Sequence, residues 1–187
     1  MTFEETILPG VMVVTPVVHR DQRGAFCETF RADLFERRVP GVTFVQDNHS
    51  VSVPVGTVRG LHFQSPPRAQ AKLVRCVRGR ILDVAVDIRV GSPTYGRHVA
   101  VELSAGDWRQ LWVPAGFAHG FGTLEPDTEV VYKVTDLYSP DHDRAVAFDD
   151  PDLGIDWGFP TGSAALSDKD RRAPRLRDLT SPFRYEA

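Results

Sequence analysis

Five polar residues interrupt what otherwise reads as a pair of short β-strands between Arg59 and Val77. They are Arg59, His62, Gln64, Gln70 and Lys72, in R-G-L-H-F-Q-S-P-P-R-A-Q-A-K-L-V-R-C-V. Strand side chains alternate between two faces. His62 and Gln64 therefore share one face, with Leu61 and Phe63 on the other, while Gln70, Lys72 and Val74 share a face of the second run. If the two strands are neighbours around the Ser65-Pro66-Pro67-Arg68 loop, a histidine and a lysine point into one cavity. An imidazole titrates near pH ~6.5 and can accept a proton at neutral pH. A lysine on an inward face is costly unless it is paired or used. A base beside a fixed positive charge suits removal of a proton next to a carbonyl group. The plainer alternatives are a structural histidine and a rim lysine reaching out to water.

Other residues extend this chemistry. Tyr132 shares a face with Val130 and Val134; its phenol could donate a proton, or it could be an interior tyrosine with one hydrogen bond. His119 lies in P-A-G-F-A-H-G-F, where flanking glycines allow a tight backbone near a ligand. His62, His119 and His49 could together form a metal site. Jelly-roll metal proteins usually present a His-x-His pair, however, and positions 60 and 64 are Gly60 and Gln64, so no metal is expected. Arg23, Arg59 and Lys169 could hold a phosphate, arginine as a two-pronged fork. Phe26 and Tyr138 could stack on a planar base, although a strand phenylalanine is more often core. Asp170 closes Ser167-Asp168-Lys169-Asp170, which reads as a helix capping box.

The elements that must carry these residues are short. Apolar runs alternate with Gly, Pro, Asp and Asn punctuation, and long helical periodicity is absent. Val11–Val18 is a strand candidate, closed by the turn cluster His19–Gly24; Ala25–Phe30 is a second extended run, and Arg31–Val39 reads as a short helix stopped by Pro40-Gly41. Val42–Val53 is extended and carries Q-D-N-H-S. Ile81–Arg89 alternates most cleanly, with Leu82, Val84, Val86 and Ile88 against Asp83, Ala85, Asp87 and Arg89. Further strands are expected around Val99–Leu103, Gln110–Val113, Phe117–Phe121 and Val130–Thr135. From Tyr138 onward the chain reads mostly as loop. Many short strands split by Gly/Pro turns predict an all-β antiparallel sandwich or barrel. A jelly roll, whose mouth can hold a ligand, is the expected form, as one domain over residues 1–187.

Composition narrows the function. The chain has 187 residues, 42% hydrophobic and 25% charged, with a formal net charge of -3, all ordinary for a soluble globular protein. No long basic run is present, so nucleic acid is not an expected partner. No stretch approaches the ~18 apolar residues of a membrane helix, and M-T-F-E-E-T-I lacks the basic start and apolar core of a signal peptide. The two cysteines, Cys27 and Cys76, form no CxxC. A cytoplasmic setting is expected.

Ordered motifs over most of the chain then resemble one family. They are D-Q-R-G-A-F-C-E-T-F, Q-D-N-H-S, R-G-L-H-F-Q, Q-A-K-L-V-R-C-V-R-G, D-V-A-V-D-I-R, G-S-P-T-Y-G, A-H-G-F, V-Y-K, D-D-P-D-L-G-I-D-W and L-S-D-K-D. The chain resembles the dTDP-4-dehydrorhamnose 3,5-epimerases, cupin-type jelly rolls that act on nucleotide sugars. The resemblance implies His62 as base, Asp170 as the carboxylate that orients it, Lys72 as the enolate-stabilising cation and Tyr132 as acid. It thereby moves Asp170 from the capping role to the site. It further implies nucleotide-sugar contacts at Arg23, Phe26, Glu28, Gln46, Asn48, Arg59, His119, Tyr138 and Lys169, no cofactor, and a homodimer. Asp143–Phe148 departs from the family pattern and could alter the lip of the site. A single-centre epimerase, and a non-catalytic or metal-bound sugar-binding cupin, are the alternatives.

Overall fold

The computed structural model describes residues 1–186. In chain order the strands are β1 (Thr2–Glu5), β2 (Met12–Thr15), β3 (Val18–Asp21), β4 (Gly24–Cys27), β5 (Gln46–Ser52), β6 (Val58–Gln64), β7 (Lys72–Arg78), β8 (Arg80–Asp87), β9 (His98–Ser104), β10 (Gln110–Val113), β11 (Phe117–Thr123), β12 (Thr128–Val134) and β13 (Asp143–Ala145). Helix α1 (Ala32–Arg38) follows β4, and α2 (Asp168–Arg171) lies near the C-terminus. Six strands form one sheet in the order β1-β2-β10-β7-β12-β5, five form a second in the order β13-β6-β11-β8-β9, and β3-β4 is a separate hairpin. Pairing between these strands is antiparallel throughout. This is the jelly-roll sandwich that the strand pattern predicts. Among the described residues no helix is long and apolar enough to cross a membrane.

Three apolar clusters hold the layers. Val74, Cys76, Leu111, Val113 and Val130 from the six-stranded sheet meet Ile81, Ala85, Leu103, Phe117 and Phe121 from the five-stranded one. Phe35 of α1 packs with Met12, Val14, Leu73 and Trp112 on the outside of the larger sheet. Leu61, Phe63, Val84, Val86 and Ile88 turn away from the interior and pack under Phe148, Leu153 and Trp157 of the C-terminal segment. Both faces of β8 are therefore covered. Its polar face, Asp83 and Asp87, points into the molecule, and both carboxylates are fully buried. The strand expected over Val11–Val18 is β2 alone, ended before Pro16, and the expected turn cluster His19–Gly24 is largely strand: β3 runs to Asp21 and pairs with β4 from Gly24, leaving Gln22 and Arg23 as the turn; a proline cannot donate to the ladder.

Asp87 explains the G-S-P-T-Y-G motif. Its carboxylate accepts from Arg89 Nη2 at 2.7 Å, Ser92 Oγ at 2.6 Å and Thr94 Oγ1 at 2.7 Å, fastening the 89–97 loop. Burial raises the Asp87 pKa, but the hydrogen bonds from Arg89, Ser92 and Thr94 outweigh it and hold the value at about 2. A carboxylate whose folded pKa is depressed stabilises the fold above its unfolded pKa and loses that contribution as pH falls through the folded value. Stability is accordingly expected to decline between pH ~4 and pH ~2. Asp87→Asn should cost about 3 kcal/mol at neutral pH, since it strips a buried pair of one partner. Thermal unfolding should show a fall in Tm of roughly 10 °C, with a shallower acid decline than the wild-type chain. An unchanged Tm would remove Asp87 from this role.

Candidate active site

β6 and β7 are not neighbours within a sheet. β6 lies between β11 and β13 in the five-stranded sheet, and β7 between β10 and β12 in the six-stranded one. His62 and Lys72 nonetheless converge, because the two sheets face each other: Lys72 Nζ donates to the backbone carbonyl of His62 at 3.2 Å. The expected convergence is correct; its cause is facing sheets, not a hairpin. On the other side of β6, His62 stands in register with His119 of β11. Glycines make that approach possible. A Cβ on Gly60 would lie 2.5 Å from Gly120 Cα, and one on Gly120 would lie 2.7 Å from the Arg59 carbonyl oxygen.

Each histidine carries its own carboxylate. His62 Nε2 lies 2.5 Å from Asp170 Oδ1, and His119 Nε2 lies 2.7 Å from Asp83 Oδ1. An imidazole that donates Nε2–H to a carboxylate leaves Nδ1 to accept a proton. Asp170 is buried and receives Ser167 Oγ on Oδ2 at 2.9 Å. Burial pushes its pKa up, but the hydrogen bonds from His62 and Ser167 prevail and the carboxyl stays below its ordinary value. Ser167 Oγ also accepts from the Asp170 backbone N–H at 3.1 Å. Only the Ser167 half of the capping box is made, because the Asp170 carboxylate goes to His62 and the Ser167 hydroxyl; the Ser167 cap fixes the backbone that aims the carboxylate. Burial keeps His119 below the usual histidine range, against the pull of Asp83. Among the described residues no group of three or more His, Cys, Asp or Glu side chains is placed to hold a metal ion.

A cavity of about 220 Å³ is lined by His62, Asp170 and His119 on one side and by Lys72, Tyr132 and Ser50 on the other. It adjoins a larger one of about 450 Å³ that shares His62, Lys72 and Tyr132 and extends to Tyr138, Asp143 and Lys169. Burial lowers the Lys72 pKa to about 8, with Asp143 and Asp83 pulling the other way. Burial raises the Tyr132 pKa, so the phenol keeps its proton at neutral pH. An imidazole on the five-stranded wall therefore faces a lysine and a neutral phenol on the six-stranded wall. Such a space can hold a ketone, take a proton from an adjacent carbon on one face and return one on the other.

Of the residues expected to hold a nucleotide sugar, Gln46, Asn48, Tyr138 and Lys169 line the larger cavity, and Arg59 and His119 the smaller. Arg59 is aimed by Ser52 Oγ at 3.1 Å and the Val51 carbonyl at 3.0 Å. Arg23 and Phe26 sit on the exposed β3–β4 hairpin and Glu28 just beyond it; none lines either cavity within one chain. The departing stretch 143–148 is a wall of the site: β13 pairs with β6, Asp143 opposite Gln64 and Ala145 opposite His62. The Asp143 carboxylate accepts from Tyr138 Oη at 3.1 Å and from Lys169 Nζ. Sequence reasoning assigned no role to Asp143 or Ser50, and to Ser167 only that of a helix cap. Period-two alternation from Gln46 and Asn48 was the available signal for Ser50, whose buried hydroxyl has no protein partner.

Fold and site together define a jelly-roll isomerase that works by acid–base chemistry. A profile described as dTDP-4-dehydrorhamnose 3,5-epimerase matches residues 5–178, and the chain belongs to that family. A dTDP-4-dehydrorhamnose 3,5-epimerase from Sinorhizobium fredii is 52% identical over 185 residues, covering 99% of this chain and 94% of the relative. The structure of a dTDP-6-deoxy-D-glucose-3,5-epimerase from Legionella pneumophila, in complex with dTDP-4-keto-L-rhamnose, superposes with a TM-score of 0.94 at 41% identity, covering 100% of this chain and 99% of that one. A 3′-monoepimerase from Streptomyces bikiniensis, in complex with dTDP-quinovose, gives a TM-score of 0.86 at 37% identity, covering 93% and 87%.

Proposed function

We propose that the protein inverts C3 and C5 of dTDP-4-dehydro-6-deoxy-D-glucose, as a dTDP-4-dehydrorhamnose 3,5-epimerase of deoxysugar biosynthesis. The observation that carries the reading is the His62–Asp170 pair facing Lys72 and Tyr132 across one cavity. The C4 ketone acidifies the hydrogens on C3 and C5. His62 removes one of them, and the electron pair of the broken C–H bond moves to the C4 oxygen. Asp170 holds the ring and stabilises the imidazolium. Lys72 stabilises the enolate oxygen. Tyr132 returns a proton from the opposite wall, which inverts the centre; exchange with solvent resets His62 and Tyr132. Tyr138, Lys169, Asn48 and Arg59 engage the nucleotide part.

The protein works as a homodimer in the cytoplasm, each chain one catalytic domain, with neither nucleic acid nor membrane as partner. A second copy accounts for Arg23, Phe26 and Glu28, which reach a nucleotide only if the exposed hairpin enters a partner's site. A single-centre epimerase is the second reading, favoured by the likeness to the 3′-monoepimerase. Proton NMR of the substrate with enzyme in deuterated water separates the two. Deuterium is expected at both C3 and C5. Exchange at one carbon selects the second reading, and exchange at neither overturns both.

A further inference from the structure

Three glutamine side chains grip one short piece of backbone. Gln70 Nε2 donates to the Asp136 carbonyl at 2.7 Å. Gln64 Nε2 donates to the Leu137 carbonyl at 3.2 Å and to the Arg68 carbonyl at 2.6 Å, and its Oε1 accepts from Ser139 N–H at 2.8 Å. Gln46 Oε1 accepts from Tyr138 N–H at 3.1 Å. Residues 136–139 are thereby held at every position, from β5, from β6 and from the loop that leads into β7. Gln64 is 3% exposed. The orientation of its amide is set by its partners, because a reversed amide would turn its oxygen toward two carbonyls. Both Nε2 protons are spent on backbone, so Gln64 has no donor to offer a ligand. The Tyr138 side chain is the opposite case: the residue is 57% exposed, and its hydroxyl touches Asp143 at the rim of the larger cavity.

We infer that Gln64 is a positioning residue, which fixes the Tyr138 platform relative to His62, two residues earlier on the same strand face. The inference rests on the functional reading above, in which Tyr138 engages the nucleoside. A platform ordered before the ligand arrives costs no ordering on binding. Loss of the clamp therefore falls on affinity, whereas loss of the base falls on the chemical step.

Gln64→Met keeps the length and roughly the volume of the side chain and removes its three hydrogen bonds. KM is expected to rise about tenfold while kcat stays within about threefold, and the Kd for dTDP, measured by calorimetry, should rise in parallel. In a Tyr138→Ala background the same substitution should add less than about twofold, because the two residues act through one contact. A fall in kcat with KM unchanged, or full additivity with Tyr138→Ala, overturns the inference. Gln70→Met, which loses only the Asp136 bond, carries the test if Gln64→Met does not fold. It should raise the Kd for dTDP in the same direction by a smaller factor, and an unchanged Kd counts against the clamp. Wild-type protein that binds dTDP without epimerising refutes the reaction instead, and the clamp is then judged on Kd alone.

Discussion

His62→Ala is expected to lower kcat at least about 100-fold, the low end for a positioned acid–base group, and to abolish deuterium uptake at C3 and C5 together. The geometry explains why both carbons should go silent. His62 is bonded through Nε2 to a buried carboxylate, so one ring nitrogen is anchored and the other is left to take a proton. His119 is the other imidazole of the cavity, but it is nearly fully buried and its own Nε2 is held by Asp83. If His119 were a second base, one carbon would continue to exchange in the variant, and the single-base mechanism would fall. The substitution also strips Asp170 of the partner that helps depress its pKa. Some loss of stability is therefore expected, and Tm is to be measured beside the rate. Asp170→Asn offers an independent check. It keeps the shape of the pair but cannot stabilise an imidazolium, so kcat should again fall while Tm moves less than in His62→Ala.

Local pattern carried the strands but not their partners. The alternation over His98–Leu103 appears as β9 and that over Ile81–Arg89 as Arg80–Asp87, because period-two alternation is a property of the segment itself. Which sheet a strand joins is set by long-range pairing, so the separation of β6 from β7 had no local signature. β1 and β13 are short and polar, and neither stood out in the sequence. The site shows the same division. His62, Lys72 and Tyr132 are legible as polar residues on strand faces. Asp170 reaches His62 across 108 residues of chain, and its local signal, half realised as the Ser167 cap, was silent about that destination. Only the family resemblance joined the two. Asp83 is the converse: its alternation was plain, yet a charged residue on the polar side of a strand gave no hint that this side faces the interior.

Lys72→Met is expected to lower kcat by about 10²–10³, the range for loss of one preorganised donor to a developing oxyanion, and at the same time to raise Tm. The two effects have one cause. Lys72 is nearly fully buried, and burial brings its pKa down to about 8, even with Asp143 and Asp83 opposing. A lysine whose folded pKa lies below its unfolded value destabilises the fold in its charged form. That penalty is complete below pH ~8 and is relieved as pH rises toward the unfolded value. Methionine fills similar space without charge, so the variant should gain stability most clearly at neutral pH. In the proposed mechanism the charge that costs stability is the one the reaction uses. In the wild-type enzyme kcat/KM should therefore fall as pH rises through about 8, as Lys72 loses its proton, and this alkaline limb should be missing from the residual activity of Lys72→Met. Persistence of the limb in the variant would assign it to another group, and a kcat within threefold of wild type would mean that the enolate is stabilised elsewhere. Stability rising with pH over the interval in which activity falls separates this account from simple alkaline unfolding, because unfolding would carry both down together.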